Sequence, residues 1–419
     1  MKKILLLELE GVKNTEKSSF DLNLMEFKSR QRLWNTPNLG LLTVGGCLSD
    51  RFYIDYIDLN YEKQLKPDYD YVFMSPSTSQ ANRAYELSHF FHQNNVRVVL
   101  GGPHASMMPV EAKIYSDTVF IGESENILKT IDNVIPEGVI TCEKKTDLEL
   151  FDFVPLYGLS GKYPYTSFPV QLSRGCPHQC SFCISSSIYG KKIRRKTLAQ
   201  ANKELMYLKS FKNRPFVFFT DDNFFLDENY ILKLFDILKN LKIEWYAFTD
   251  ISIYKKDKIL KRLYSSGCRK LLIGFESLNS DNLEKINKSG FKKNKRGEYE
   301  KAINIIQSNK IGVVGSFVLG LDNDTEETFD ELYDFIVNTK IYGTNITIAT
   351  PFPGTRYYEE LSEKENLPCD WSLYDGFTLV HKLKNISSDR FMIKYKELIA
   401  KINSPERINS VLDFFKKVN

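Results

Sequence analysis

The segment Arg174-Gly-Cys-Pro-His-Gln-Cys-Ser-Phe-Cys183 puts three cysteines, Cys176, Cys180 and Cys183, into one short loop. The loop follows the strand-like run Phe168-Pro-Val-Gln-Leu-Ser173. Three thiolates are one ligand short of a closed tetrahedral zinc centre, whereas a [4Fe-4S] cube held by three cysteines keeps one iron open for a substrate or cofactor. His178 would complete a Cys3His zinc site only by binding from inside a very short turn, so the open cluster is the preferred reading. The remaining cysteines, Cys47, Cys142, Cys268 and Cys369, stand singly and read as small core residues or inert thiols.

Composition bounds the rest. A chain of 419 residues exceeds one ordinary hydrophobic core, so two domains and a small appendage are expected. Seven cysteines with no secretory leader point to a reducing compartment and a cytoplasmic location. The opening Met1-Lys-Lys-Ile-Leu-Leu-Leu-Glu-Leu-Glu10 is interrupted by acids at once and reads as a buried strand. No apolar stretch reaches the roughly 20 residues of a membrane helix. A net charge of +4, from 57 basic and 53 acidic residues, leaves no nucleic-acid footprint. The clusters Lys191-Lys-Ile-Arg-Arg-Lys196 and Lys292-Lys-Asn-Lys-Arg296 read as solvated loop charge.

Residues 1–145 alternate short apolar runs with helix-length segments. The runs at 3–9, 53–59, 69–75, 96–101 and 118–121 predict a doubly wound parallel sheet, whose ligands bind beyond the carboxyl ends of the strands. Two of those ends are unusual: Met74-Ser-Pro-Ser-Thr78 and Gly101-Gly-Pro-His-Ala105. His104 has no partner at ligand spacing and reads as a loop-structuring residue. A linker at 146–165 is broken by Pro155, Gly158, Gly161 and Pro164. Six β/α units over 166–365 then predict a partial (β/α)6 barrel with its active mouth at the carboxyl ends of the strands. Those ends carry Thr220-Asp-Asp-Asn-Phe224, Gly274-Phe-Glu-Ser277, Gly320-Leu-Asp-Asn-Asp-Thr325 and Pro351-Phe-Pro-Gly-Thr355. Asp324 and Thr325 are expected to cap the helix that starts at Glu326. Residues 366–419 form a small, mainly helical extension, a possible substrate cap, with an amphipathic helix over 392–402.

The Cys-x3-Cys-x2-Cys spacing, with Phe182 before the last cysteine, resembles the signature of the radical S-adenosylmethionine (SAM) enzymes, and the resemblance extends over about 20 to 365. It implies that Cys176, Cys180 and Cys183 hold a [4Fe-4S] cluster whose open iron chelates SAM, and that electron transfer yields a 5'-deoxyadenosyl radical. It places Phe182 and Val318 at the adenine, Asp221 or Asp222 at the SAM amino group, Glu276 at the ribose and Lys288 at the SAM carboxylate. The first domain resembles the flavodoxin-like cobalamin-binding domain found before many radical SAM modules, with Ser75, Ser77, Gly101 and Gly102 matching the elements that line the channel for the cofactor's tail. The histidine that coordinates cobalt in that family is missing from Glu8-Leu-Glu-Gly-Val-Lys-Asn-Thr-Glu16, so any cobalamin would bind without a protein histidine ligand. The resemblance implies a cobalamin-dependent methyltransferase acting on an unactivated carbon, or phosphorus, of a small metabolite or lipid, served by an electron donor such as flavodoxin or ferredoxin. A radical SAM cyclase, oxidase or rearrangement catalyst is the alternative, and a non-catalytic iron-sulfur sensor a third. The substrate, and the residue beside the reacting atom, are not legible.

Overall fold

The computed structural model describes residues 1–11 and 35–418. Its first sheet has six parallel strands, β1 (Lys3–Glu8), β2 (Tyr53–Asp58), β3 (Tyr71–Met74), β4 (Arg97–Leu100), β5 (Thr118–Ile121) and β6 (Gly138–Thr141). They lie in the order β2-β1-β3-β4-β5-β6, so the chain reverses direction across the sheet between β1 and β3. Strand β6 was not anticipated, because the edge run Gly138-Val-Ile-Thr141 is short and alternates half-buried with exposed residues. In β1 the continuous apolar run serves two layers. Ile4 and Leu6 enter the core shared with the second domain, while Leu5 and Leu7 enter a second core on the other face. A parallel strand covered on both faces requires that composition.

The second domain starts with β7 (Phe168–Val170) and a two-stranded antiparallel ribbon, β8 (Ser173–Arg174) and β9 (Arg194–Arg195). It continues through β10 (Phe216–Phe219), β11 (Glu244–Thr249), β12 (Cys268–Glu276), β13 (Gly312–Leu319) and β14 (Gly343–Ile348). Apart from the ribbon, the six strands pair in parallel in the order β14-β13-β12-β11-β10-β7, a partial barrel as expected. Alternation again divides the side chains. Val217 and Phe219 of β10 face the helices, and Phe218 joins Tyr246, Leu272 and Val314 in a separate cluster. The predicted helices stand close to their expected bounds, at Leu198–Phe211, Glu228–Leu241, Asp257–Leu263, Tyr299–Ser308 and Glu327–Asn338.

Two expectations are revised. Asp324 caps no helix. Its Oδ2 accepts from the backbone of Gly320 (2.8 Å) and Leu321 (2.9 Å), and its Oδ1 accepts from Asn282 (2.7 Å), so it ties the turn after β13 to its neighbour. Thr325 instead has its backbone N–H held by Thr328 Oγ1, with Glu326 at the helix cap. The linker segment 146–165 is packed: Tyr157, Tyr163 and Tyr165 are buried in the shared core, and the Tyr157 hydroxyl donates to Glu204 at 2.6 Å. Aromatic rings outweigh the Pro and Gly punctuation there, since each buries a large apolar area. After the barrel, Trp371, Tyr374 and Val380 pack into the second core of the N-terminal domain, and the Trp371 indole donates to Glu111 at 2.7 Å. Two helices, Ser388–Ile402 and Pro405–Val418, finish the chain.

Candidate functional site

The cysteine loop is fastened before it could hold anything. Gly175 opens it at φ +102°, where an added Cβ would lie 2.4 Å from the Lys192 carbonyl oxygen, so only glycine fits that pass. Cys176 N–H donates to Gly190 O (3.2 Å), Cys180 N–H to His178 O (2.7 Å) and Ser181 N–H to Ile286 O (2.8 Å). All three thiols are half-buried, and each sulfur has an N–H directed at it. These come from the His178 backbone for Cys176, the Asn287 amide at 3.6 Å for Cys180, and the Ser185 and Ser186 backbone for Cys183. Burial first, with the neighbouring thiols adding to it, pushes the Cys176 thiol up to about 12 and Cys180 to about 11. A bound cation reverses that balance. Among the described residues no set of three His, Cys, Asp or Glu side chains forms the shell of a single metal ion. Three thiols with separate N–H donors suit the separate irons of a cube. His178, the fourth ligand of the zinc alternative, is engaged elsewhere: its Nε2 lies 3.2 Å from Asp250 Oδ2 and its ring stacks on Phe291 at 4.1 Å.

The strand ends supply the fastenings. Asp221 accepts from Leu172 N–H (3.1 Å) and Ser173 Oγ (2.5 Å), and burial raises its carboxyl to about 6. Asp222 accepts from Gly175 N–H at 3.1 Å. Both candidates for the SAM amino group therefore tie the end of β10 to the start of the cysteine loop. Asp250, just past β11, accepts from His178, from Asn223 (2.6 Å) and from Ser252 N–H (2.6 Å). Burial would raise this carboxyl, but those hydrogen bonds hold it well below the usual range. Asp250 carried no sequence signal, because an acid after a strand reads equally as a loop or a helix cap.

At the end of β12, Glu276 sits at φ +67°, and the pairing with β13 slips between Gly274 and Glu276. A non-glycine residue there costs roughly 1–2 kcal/mol, and bulges of this kind re-aim side chains beside functional sites. The Glu276 carboxylate meets Lys292 Nζ at 2.9 Å, and Lys292 also donates to Gly274 O at 2.5 Å. Gly274 makes the room, since a Cβ there would lie 2.2 Å from Glu276 Oε1. Lys292 is buried, which corrects the expectation of solvated charge for this segment. Burial works against its charge, yet Glu276 and the nearby Cys180 thiol hold its pKa above the ordinary value. Its burial was invisible in a segment where four of five residues are basic. Lys288 is exposed, on the rim of a cavity of about 280 Å³ that also borders Ser181, Leu321 and Tyr357. Phe182 packs against the core that contains the buried Val318.

In the N-terminal domain, Ser75, Ser77, Gly101 and Gly102 meet where β3 and β4 end. Gly102 has φ +79°, and a Cβ on it would lie 2.1 Å from Ser75 Oγ. Ser77 Oγ donates to Gln80 Oε1 at 2.8 Å and caps a short turn. Across the β1/β3 junction stands Glu8, whose buried Oε2 has no partner and whose carboxyl is raised to about 8 by burial and then by Asp58. Glu10 is paired with Lys63 (2.9 Å) and Arg83 (3.1 Å). Residues 12–16 of the segment searched for a cobalt-binding histidine lie outside the described residues. His104 is a structural residue as expected, fully buried, bonded to Tyr85 OH at 3.1 Å and edge-on to Trp371. The two domains join through buried ion pairs. Arg174, two residues before Cys176, meets Glu123 (2.8 Å) and Glu125 (2.6 Å), and Arg194 meets Glu123 at 2.7 Å.

Residues 170–336 match the radical SAM superfamily. The chain is 29% identical over 401 residues to the bacteriochlorophyllide d C-8(2)-methyltransferase of Chlorobaculum tepidum, covering 89% of this chain and 86% of that protein. It is 27% identical over 401 residues to the hopanoid C-2 methylase of Rhodopseudomonas palustris, covering 90% and 73%. The solved structure of the radical SAM methyltransferase TsrM from Kitasatospora setae, with cobalamin and a [4Fe-4S] cluster bound, superposes with a TM-score of 0.63 at 15% identity, over 87% of this chain and 78% of that one. That likeness is one of fold, and it spans both domains. With the cysteine loop at the mouth of a parallel barrel and a flavodoxin-like sheet joined to it, the segment 170–336 is a radical SAM domain.

Proposed function

We propose that the protein is a cobalamin-dependent radical SAM methyltransferase that modifies an unactivated carbon, or phosphorus, of a small metabolite or lipid. The observation that carries the reading is the cysteine loop, three thiols each with its own N–H donor and, among the described residues, no fourth ligand, in a chain similar over most of its length to enzymes named for methylation. In this reading Cys176, Cys180 and Cys183 hold the cluster. When bound, SAM at the open iron supplies the 5'-deoxyadenosyl radical and cobalamin supplies the methyl group.

The chain's own residues do the positioning. Lys292, buried beside Cys180, is better placed than the exposed Lys288 to meet the SAM carboxylate, and Glu276 is placed to accept the ribose hydroxyls. Phe182 and Val318 supply an apolar border for the adenine. Asp221 and Asp222 keep the loop in register, Asp222 through Gly175 N–H and the Ser185 side chain, so the SAM amino group would be held mainly by the open iron. At the β1/β3 junction the small residues Ser75, Gly101 and Gly102 and the unpartnered Glu8 oxygen fit a polar cofactor tail. No helix among the described residues is long and apolar enough to cross a membrane. A cytoplasmic location and reduction by flavodoxin or ferredoxin complete the reading.

The test is anaerobic reconstitution with iron, sulfide and hydroxocobalamin. About four iron and four sulfide per chain are expected, together with a corrinoid that survives gel filtration and shows no imidazole-nitrogen coupling. Each of Cys176→Ala, Cys180→Ala and Cys183→Ala should lose SAM cleavage. Zinc without iron would refute the radical reading. Iron and SAM cleavage without corrinoid would replace the methyltransferase by a non-methylating radical enzyme.

A further inference from the structure

Of the residues whose N–H faces one of the three cysteine sulfurs, His178, Asn287, Ser185 and Ser186, only His178 lies inside the Cys-x3-Cys turn, and its backbone ties two cysteines together. Its N–H is directed at the Cys176 sulfur, and its C=O accepts from Cys180 N–H at 2.7 Å. A turn this short has few internal bonds, so the direction of that N–H depends on what holds the residue from outside. The holder is its own side chain. The imidazole lies face to face with Phe291, with ring centroids 4.1 Å apart and an interplanar angle of 27°. Its Nε2 donates to Asp250 Oδ2 at 3.2 Å. Asp250 is fixed in turn, 8% exposed, by Asn223 Nδ2 at 2.6 Å and Ser252 N–H at 2.6 Å. The ends of β10 and β11, and Phe291 on a helix after β12, thus brace one loop residue that is not a ligand.

We infer that Asp250 and His178 are positioning residues of the cluster site, a latch that aims the His178 backbone N–H at the Cys176 sulfur and so sets the reduction potential of the cluster. The inference rests on the cysteines being the cluster ligands. Its physical basis is that an N–H donated to a cluster thiolate stabilises the more negative, reduced state, so hydrogen bonds to the sulfurs tune the potential. Loss of the latch leaves all three thiolates in place but lets this N–H swing away, which makes the cluster harder to reduce.

The experiment uses reconstituted full-length protein and reads iron content, the EPR signal of the reduced cluster and its midpoint potential. His178→Phe keeps a ring on Phe291 and keeps the Asp250 charge but donates no hydrogen bond, whereas His178→Gln restores an N–H toward Asp250. The expected result for His178→Phe is four irons, an altered EPR line shape and a midpoint shifted to more negative potential, with His178→Gln returning most of the way to wild type. Asp250→Leu should give the line shape of His178→Phe, and combining the two should add nothing in line shape, because they break one contact. A potential and EPR signal in His178→Phe equal to wild type would overturn the latch. So would a His178→Gln variant no closer to wild type than His178→Phe. Wild-type protein that takes up no iron would instead overturn the cluster reading itself, so the two failures are distinct.

Discussion

Replacing Lys292 by methionine removes one partner of a buried ion pair and leaves the volume nearly unchanged. Side chains of Lys292 and Glu276 are 8% and 11% exposed, and they meet at 2.9 Å. Removing the cation strands the Glu276 carboxylate beside the Cys180 thiol. Breaking a buried pair in this way costs about 3–5 kcal/mol, because the remaining charge keeps its desolvation penalty without its compensation. That is roughly two to three and a half orders of magnitude in the folding equilibrium of the barrel. Urea unfolding followed by near-ultraviolet circular dichroism reads the loss as a lower midpoint at unchanged slope. The double variant Lys292→Met with Glu276→Gln removes the stranded charge and is expected to recover at least half of the loss. A single variant that loses under about 1 kcal/mol, or a double variant no better than the single, would refute the claim that this pair is a desolvated unit.

Two further outcomes follow from buried acids. Glu8 has a native carboxyl raised from its ordinary 4.5 to about 8, so between those values the folded chain keeps a proton that the unfolded chain has lost, and stability should fall as pH rises through the window. The slope approaches about 1.4 kcal/mol per pH unit, and it should flatten in Glu8→Gln; parallel stability-pH curves for the two proteins would count against it. Glu123→Gln takes a partner from both Arg174 and Arg194 at the domain junction, and protease cleavage within 146–165 should speed up at least tenfold, as a loss of about 1.4 kcal/mol or more in local closure requires. An unchanged cleavage rate would mean that the aromatic packing alone holds the junction.

The architecture was legible because parallel strands buried on both faces leave a coarse, continuous apolar signal. Ile4-Leu-Leu-Leu7 and Phe216-Val-Phe-Phe219 can be read as strands without knowing which face meets which layer, and the pairing order confirms two parallel sheets. What failed were elements whose burial depends on partners distant in sequence. β6 is an edge strand with little apolar content, and it is held by Ile121 and its neighbours on β5. The segment 146–165 looks like punctuation in the sequence, yet Tyr165 bonds to Asp58 from more than a hundred residues away.

The site divides along the same line. The cysteine spacing is a local code, because a loop that presents three thiolates to one cluster must carry them close together in sequence. The polar strand ends are not a local code. Asp221, Asp222 and Asp250 are chemically alike in the sequence, but Asp221 and Asp222 hold backbone N–H groups at the loop's entry while Asp250 holds the His178 ring inside it. Lys288 and Lys292 are four residues apart, and only the position of Gly274, whose missing Cβ opens the space, decides that the second is the buried one. A carboxylate or ammonium at a barrel mouth therefore has two possible employments, binding a ligand or bracing the loop that binds it. The sequence lists the groups that compete for them, and the hydrogen-bond partners in the fold assign each one.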